Sequence, residues 1–321
     1  MKKLITSLAM GLALLPGVSL AAPVSPAADH HQHLFSPAII ELLASPNLKE
    51  ISVEQVIAHL DAAGIRQGAI MSVAYMFGRP SRVIDNEYAK VRAENDWTGA
   101  QAAKYPGRLK AFCGVNPLKE YALEEIARCA ASPALRTGLK MHFGNSDVQL
   151  SNPAHLERMR QVFRAANANK MAIAIHMRAS ISLKRPYGPE QARLFLEELM
   201  PLATDITVQV AHLSGAGPGY EDPASDWVMA TLAQAFEQRD PRTRNLYFDV
   251  ASMVDKDISN ANRALVARRI HQVGVDKILW GTDAATPTNQ TPRDAWASFM
   301  RIPLSDAEFK RIAANVAPYL K

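Results

Sequence analysis

The sequence is poor in cysteine and has no long block of one charge. Cys113 and Cys129 are its only cysteines among 321 residues, and their spacing is not that of metal-binding thiols. They are compatible either with one disulfide in an oxidising compartment or with two buried thiols. The formal net charge is +5. Because no basic stripe with interleaved aromatic residues occurs, nucleic acid is not an expected partner.

Three common nucleotide and hydrolase motifs are also missing. No Gly-x-Gly-x-x-Gly follows the first predicted strand, which argues against a dinucleotide-binding fold. Neither Gly-x-Ser-x-Gly nor Gly-x-x-x-x-Gly-Lys occurs in the chain. The serine-hydrolase and nucleotide-hydrolase interpretations therefore lack support from the sequence.

The N-terminal segment has the features of a secretory signal peptide. Lys2 and Lys3 precede an uncharged apolar run from Leu4 to Leu20, and cleavage is expected after Ala21. A transmembrane anchor is the competing interpretation, but the run is short and contains Pro16. We therefore expect a periplasmic or secreted protein with a signal peptide at 1–21, one domain at 22–321 and no stable membrane anchor. A homo-oligomer remains an open alternative.

Short β-branched runs alternate with longer amphipathic segments along the mature chain. This pattern predicts βα units around a parallel sheet. Eight such units in one undivided chain favour a closed (β/α)₈ TIM barrel over an open doubly wound sheet. The predicted strands are Asp29–Leu34, Gly68–Tyr75, Leu109–Val115, Gly138–Phe143, Met171–Met177, Ile206–Leu213, Leu246–Ala251 and Lys277–Asp283.

Several histidines and one aspartate end these predicted strands. His31 and His33 lie two residues apart, so they face the same side of the first strand. His176, His212 and Asp283 end three later strands. Active sites of such barrels are assembled at the C-terminal ends of the strands. Buried imidazoles and carboxylates need partners, so this placement favours a site over mere packing.

These segments resemble the amidohydrolase superfamily, especially its amidohydrolase-related branch. The segments that carry the resemblance are Asp29–Leu34, Gly138–His142, Ile175-His176, Ala211–Leu213, Gly281–Asp283 and Ala313–Ala317. The resemblance implies a divalent metal, with one Zn²⁺ favoured because the donors are mostly imidazoles. Its ligands would be His31, His33, His176 and Asp283. His212 would orient or deprotonate water, Asp283 would also shuttle the proton, and Asp29 would buttress a ligand.

Other residues are expected to shape the pocket. Lys140 lies where some superfamily members carry a carboxylated lysine that bridges two metals, although one metal is favoured. His142, on the same strand face, would touch substrate. Residues after strand ends line the mouth of such a barrel. If Arg79, Lys140 and Arg178 converged, the site would favour a carboxylate or another anion. The remaining pocket candidates are Tyr75, Asn116 and Phe77.

Three function classes follow from this reading. The first is a metal-dependent hydrolase that acts on a small ester, lactone or amide. The second is a non-oxidative decarboxylase or hydratase that uses the same site, because decarboxylases belong to the same branch. The third is a periplasmic solute-binding protein without catalysis. The third would require a two-lobed architecture with a hinge, and the evenly spaced βα units contain none.

Overall fold

A computed structural model describes residues 24–46, 48, 50–255, 257–284 and 290–321 of the protein. The predicted signal peptide lies outside the described residues. In the described part of the chain, no helix is both long and apolar enough to cross a membrane.

Eight parallel strands form one sheet whose spatial order is the order of the sequence. The first and last strands are joined by backbone hydrogen bonds from His30 to Trp280 (3.0 Å) and from Asp283 to His31 (2.7 Å), which close the sheet into a barrel. The predicted (β/α)₈ barrel is therefore confirmed. The strands are β1 Ala28–Gln32, β2 Gln67–Met71, β3 Leu109–Gly114, β4 Gly138–His142, β5 Ala172–His176, β6 Val208–Val210, β7 Leu246–Asp249 and β8 Ile278–Leu279.

Helices surround the barrel and cover its outer face. Both faces of the strands are thereby removed from water, so β5 can be an uninterrupted buried run, Ala-Ile-Ala-Ile-His. The helices are α1 Pro37–Leu43, α2 Val53–Ala62, α3 Glu87–Ala103, α4 Ala122–Ala131, α5 Phe143–Ser146, α6 Pro153–Ala168, α7 Pro189–Leu194, α8 Pro223–Glu237, α9 Asn260–Val273, α10 Pro292–Phe299 and α11 Asp306–Ala314. A π-helical turn, Phe195–Leu199, continues α7.

Local sequence signals explain where many helices begin. Ser52 and Gln55 form a reciprocal capping box at α2, and Asn152 caps α6 immediately before Pro153. The short helices α1 and α5 were not predicted, because neither carries an amphipathic period long enough to recognise. Helix α1 depends on its cap, since the Ser36 hydroxyl accepts the Ile39 amide at 3.2 Å.

The two cysteines join a strand to the helix that follows it. Cys113 on β3 and Cys129 on α4 form a disulfide, with their Cα atoms 6.2 Å apart. Both residues are fully buried. The sequence was compatible with either a disulfide or two buried thiols, and the structure contains the disulfide.

The chain ends against the N-terminal ends of the strands, which we call the floor of the barrel. A short 3₁₀ turn, Pro318–Leu320, places the Tyr319 ring edge-on to Phe112, with ring centroids 5.0 Å apart. The Lys110 ammonium on β3 donates to the Tyr319 carbonyl at 3.0 Å. The opposite end of the barrel, where the strands finish, is the mouth and holds the candidate site.

Candidate metal centre and active site

The strand ends bring the five predicted site residues into one cavity at the mouth. The cavity has a volume of about 350 Å³. Lys140, Tyr75 and His142 line it as well, together with Phe35, which the sequence did not single out. The five converging residues are His31, His33, His176, His212 and Asp283.

Two of these residues adopt backbone conformations that are rare outside glycine. His212 and Asp283 have φ values of 54°, in the left-handed region that costs an L-residue roughly 1–3 kcal/mol. Each is held there by its own amide. The His212 amide donates to Asp249 Oδ1 at 2.9 Å, and the Asp283 amide donates to the His31 carbonyl at 2.7 Å. The barrel thus aims both side chains into the cavity.

Gly281 allows the last strand to approach the first one closely. A Cβ atom at this position would lie 2.8 Å from the Cβ atom of His31, which is closer than carbon atoms tolerate. The glycine just before Thr282-Asp283 therefore places Asp283 beside His31.

The ligand-type atoms lie within a few ångströms of one another. His31 Nε2 is 3.2 Å from His33 Nε2. Asp283 Oδ1 is 3.3 Å from His33 Nε2 and 3.7 Å from His31 Nε2. His212 Nε2 lies 3.9 Å from Asp283 Oδ2. One carboxylate therefore faces three imidazole nitrogens.

The opposite ring nitrogens show which tautomers are present. Nδ1 of His33 lies 2.6 Å from the Met71 carbonyl, and Nδ1 of His212 lies 2.6 Å from the Ala251 carbonyl. Because a carbonyl oxygen only accepts, each Nδ1 carries the proton and each Nε2 carries a lone pair. Nδ1 of His31 likewise donates to Asp249 Oδ2 at 3.0 Å. Three lone pairs converge on Asp283, which is the donor set that suits a divalent cation.

Burial keeps these imidazoles in the form that can bind a metal. Burial lowers the pKa of His33 to about 3 and the pKa of His142 to about 3. It also lowers the pKa of His176 well below its ordinary value. Burial alone would raise the pKa of Asp283, but His31 and His33 outweigh it and lower that pKa. His33, His142 and His176 are therefore neutral imidazoles at neutral pH, and Asp283 is an ionised carboxylate.

Lys140 is the cationic side chain of this cavity. It is 1% exposed, and its Nζ lies 2.8 Å from His31 Nε2. Burial lowers the pKa of Lys140 to about 8. A lysine with a lowered pKa is the one that carboxylation requires, so its position fits both roles that the sequence left open.

His176 and His142 lie side by side on neighbouring strands. Their rings stack with centroids 3.8 Å apart, and the His176 ring is 5.2 Å from the His212 ring. The Tyr75 ring is also next to His142, with ring centroids 5.4 Å apart. The donor atoms of His31, His212 and Asp283 all lie within 4.8 Å of one another. His176 belongs to the same cavity but not to that tight group.

Three residues that support the site, Asp249, Gln209 and Tyr319, were not predicted from the sequence. Asp249 ends β7, and its Oδ2 accepts from both His31 Nδ1 and Gln209 Nε2, the latter at 2.6 Å. The Tyr319 hydroxyl donates to Gln209 Oε1, which leaves the amide nitrogen of Gln209 facing Asp249. Although burial would raise it, the pKa of Asp249 is lowered, chiefly by His31. The sequence did contain two signals for these residues: Asp249 is an acid at a strand end, and Gln209 is a polar residue within an apolar strand.

Asp29 supports the backbone rather than an imidazole ring. Its Oδ1 accepts from the amides of His31 and Thr282, both at 3.1 Å, and its Oδ2 accepts from the Thr282 hydroxyl at 2.5 Å. Burial raises the pKa of Asp29 to about 6. The ring of His31 is instead held by Asp249.

The other predicted pocket residues lie elsewhere. Arg178 forms an ion pair with Asp222 at 2.5 Å. Asn116 binds the Gly78 carbonyl at 2.6 Å and thereby fixes a loop, while Arg79 is half-buried in that loop. Among the described residues that line the cavity, these three are absent, and so is Phe77. The cationic cluster of Arg79, Lys140 and Arg178 is therefore not formed.

The comparisons with known proteins agree with this geometry. A family model described as "Amidohydrolase" matches residues 29–317. No curated protein matches the chain.

Several solved structures share the fold at low identity. One is a 5-carboxyvanillate decarboxylase from Novosphingobium aromaticivorans, complexed with manganese and 4-hydroxy-3-methoxy-5-nitrobenzoic acid (16% identity, TM-score 0.59, covering 91% of this chain and 94% of that one). Another is a 2,6-dihydroxybenzoate decarboxylase from Rhizobium (17%, 0.58, 90% and 96%). A third is a probable 2-pyrone-4,6-dicarboxylic acid hydrolase from Acinetobacter baumannii (19%, 0.55, 89% and 95%). At these identities the likeness establishes the fold alone.

Proposed function

Since this chain belongs to the amidohydrolase family and is an enzyme of that superfamily, we propose that it hydrolyses a small ester, lactone or amide that bears a carboxylate. One observation carries the proposal. The lone pairs of His31, His33 and His212 converge with Asp283 at the mouth of a closed barrel. Such a set is costly as packing alone, because it brings the acceptor nitrogens of His31 and His33 within 3.2 Å of each other.

We assign the metal ligands as His31, His33, His176 and Asp283. A divalent ion held by this set would supply Lewis acidity and would lower the pKa of a water molecule bound to it. Three imidazoles and one carboxylate favour Zn²⁺ in the site, and one ion per chain. The structurally similar decarboxylase contains manganese instead. The ion in this protein must therefore be identified by measurement.

His212 is the group that we assign to take a proton from water. Its Nδ1 donates a hydrogen bond to the Ala251 carbonyl. Its Nε2 therefore carries a lone pair that can accept a proton. The imidazolium that forms would be stabilised by two carboxylates. Asp249 binds the backbone amide of His212 at 2.9 Å, and Asp283 Oδ2 lies 3.9 Å from its Nε2. We assign to Asp283 the transfer of that proton to the leaving group.

The cavity supports a small substrate with an acidic group. A volume of about 350 Å³ is at the lower end of ligand pockets, which suits a molecule with one ring. Lys140 would pair with the substrate carboxylate, because Arg178 is already held by Asp222. Tyr75 and His142 supply flat walls beside it.

A decarboxylase on the same site is the second candidate. The aromatic rings of Phe35 and Tyr75 and the stacked imidazoles of His142 and His176 favour a planar aromatic acid. The two candidates differ in what they consume. Hydrolysis adds water and releases an acid and an alcohol or amine, whereas decarboxylation releases carbon dioxide without adding water.

One assay on the mature, metal-loaded enzyme separates these reactions. Carboxylated lactones, esters and hydroxybenzoates would be incubated in ¹⁸O-labelled water, with carbon dioxide measured in the same vessel. The proposal predicts ¹⁸O in the product carboxylate and no carbon dioxide. Carbon dioxide from a hydroxybenzoate, with no turnover of any lactone or ester, would establish the decarboxylase instead.

We also propose that the enzyme acts outside the cytoplasm, after removal of residues 1–21. The buried Cys113–Cys129 disulfide supports this location, because such bonds persist in oxidising compartments. Small molecules are the proposed partners, and a homo-oligomer is compatible with this function. Mass spectrometry of the protein from an exporting host would test the cleavage, and a mature chain beginning at Ala22 is the expected result.

A further inference from the structure

A second cavity lies beside the catalytic one, between helices α1 and α3. Its volume is about 650 Å³, and it shares no lining residue with the catalytic cavity. The two are neighbours, because Ser36 follows Phe35 in the chain and Phe77 follows Met76. Leu42, Phe77, Ile84 and Trp97 give the second cavity apolar walls.

Glu94 of α3 contributes a buried carboxyl group to this cavity. The residue is 2% exposed, and its Oε2 accepts from the Ser36 hydroxyl at 2.5 Å. Among the described residues, its Oε1 has no hydrogen-bond partner. Ser36 cannot provide a second hydrogen bond, because its only hydroxyl proton is already donated and its oxygen caps α1 at Ile39.

An acceptor in this state is costly for the fold. A buried polar atom without a partner destabilises a protein by about 1–3 kcal/mol, so its presence calls for a reason. Burial raises the pKa of Glu94 to about 7, with Ser36 opposing the shift. The carboxylate therefore lacks the cation that would keep it ionised.

The charged residues that line the second cavity favour a positively charged ligand. Glu41 and Asp85 line the same cavity as Glu94, against one lysine, Lys90. An anion would meet three carboxyl groups. A neutral apolar molecule would leave Glu94 Oε1 without its hydrogen bond. A cation that carries N–H donors satisfies both the charge and the acceptor.

We propose that the cavity between α1 and α3 binds a small organic ammonium ion. Binding requires the Glu94 side chain to turn so that its buried Oε1 reaches the cavity and accepts the ligand N–H, while the apolar body of the ligand packs against Leu42, Ile84 and Trp97. This site is separate from the catalytic one and does not depend on the reaction proposed above.

The probe for the test is benzylammonium, compared with benzyl alcohol and benzoate, which have the same ring and differ in the charge of the head group. The signal is the indole N–H resonance of Trp97, assigned by Trp97→Phe in the metal-loaded, ¹⁵N-labelled protein. We expect saturable shifts with benzylammonium and about tenfold weaker binding of benzyl alcohol, because a charge-assisted hydrogen bond is lost. Benzoate is expected not to shift the signal.

Three variants locate the binding. Glu94→Gln keeps an acceptor for Ser36 but removes the charge, and should weaken benzylammonium binding about tenfold or more. Glu41→Gln, which removes an exposed charge at the opening, should change it by less than about twofold. Ala93→Phe fills the cavity from the exposed face of α3 and should abolish the shifts, which keeps the test decisive if Glu94→Gln fails to fold.

Several results would overturn the proposal. Benzyl alcohol that binds as tightly as benzylammonium, unchanged binding in Glu94→Gln or Ala93→Phe, or no saturable shift at all would each do so. A Trp97 signal that instead changes with protein concentration would mean that a second copy of the chain covers this surface.

Discussion

His30 and His31 are neighbours in β1, yet His30 binds backbone groups near the floor of the barrel and His31 contributes to the candidate site at the mouth. Both ring nitrogens of His30 have backbone partners, since Nδ1 donates to the Trp280 carbonyl at 2.8 Å and Nε2 accepts from the Ala317 amide at 3.1 Å. His31 binds Asp249 through Nδ1, but its Nε2 points into the catalytic cavity, where it lies 3.2 Å from His33 Nε2 and 2.8 Å from Lys140 Nζ. The first imidazole ties the floor segment to the barrel, and the second is available for chemistry.

The floor also shows that cavity size does not identify the site. A cavity of about 890 Å³ lies at that end, larger than the catalytic one. Two of its lysines are bound to an acidic side chain or to the end of the described chain. Lys170 pairs with Asp205 at 2.7 Å, and Lys110 binds the carbonyls of Tyr319 and Lys321. Converging lone pairs, rather than volume, distinguish the mouth from the floor.

The largest expected effect separates a ligand from a base at the mouth. His176→Ala should lower metal occupancy, because it removes a ligand. His212→Ala should retain most of the metal and lower turnover by about 10²- to 10⁴-fold, because it removes the proton acceptor. Metal analysis and kinetics of both proteins would check this, with exposed His59→Ala as the control. Equal metal loss in both variants would make His212 a ligand and favour a two-metal site with Lys140.

Gly281→Ala should be the next most disruptive change. The added Cβ would lie 2.8 Å from the Cβ of His31, so the variant should lose about 1–3 kcal/mol of stability and bind metal more weakly. Gly188→Ala is the matched control, since nothing lies within 4 Å of a Cβ there. Denaturant unfolding and metal titration of the two variants would measure the contrast. Equal behaviour of the two would show that the approach of β8 to β1 does not position the site.

A smaller loss of metal affinity is expected when the hydrogen bonds that connect Tyr319, Gln209 and Asp249 are broken at the floor. Tyr319→Phe keeps the ring against Phe112 but removes the hydrogen bond to Gln209 Oε1, so the amide that supports Asp249 is held only through its Nε2, by Asp249 and the His30 carbonyl. Loss of such support typically weakens metal binding about tenfold. Chelator competition would measure it, with Tyr247→Phe as the control, because that ring packs against Lys277 outside this chain of hydrogen bonds. Unchanged metal affinity in Tyr319→Phe would confine the floor to a structural role.

The smallest effect should come from Lys110→Met. Its ammonium holds two carbonyls at the end of the chain, so about 1 kcal/mol of stability should be lost. Metal affinity should not change, because Phe112 and His30 still contact the Tyr319 ring. Thermal unfolding and metal titration would be compared with the wild type. A tenfold loss of metal affinity would mean that the tether, and not only the ring, positions the site.

The sequence predicted the strands because each is a compact apolar run, and it predicted the converging residues because parallel strands end at one face. It could not predict contacts that depend on distant partners. Arg178 was a pocket candidate until the fold placed Asp222 beside it, and nothing local marks Tyr319 as a partner of Gln209. The helix α1 was missed because a capped turn of seven residues has too short a pattern.

Metal content measured by mass spectrometry is the most direct test of the account. The mature protein, the His33→Ala variant and the His59→Ala control would be purified identically, stripped with chelator and reloaded with Zn²⁺. We predict about one ion per chain in the wild type and in His59→Ala, with most of it lost in His33→Ala. A wild-type protein that retains no more Zn²⁺ than His33→Ala would contradict the metal centre.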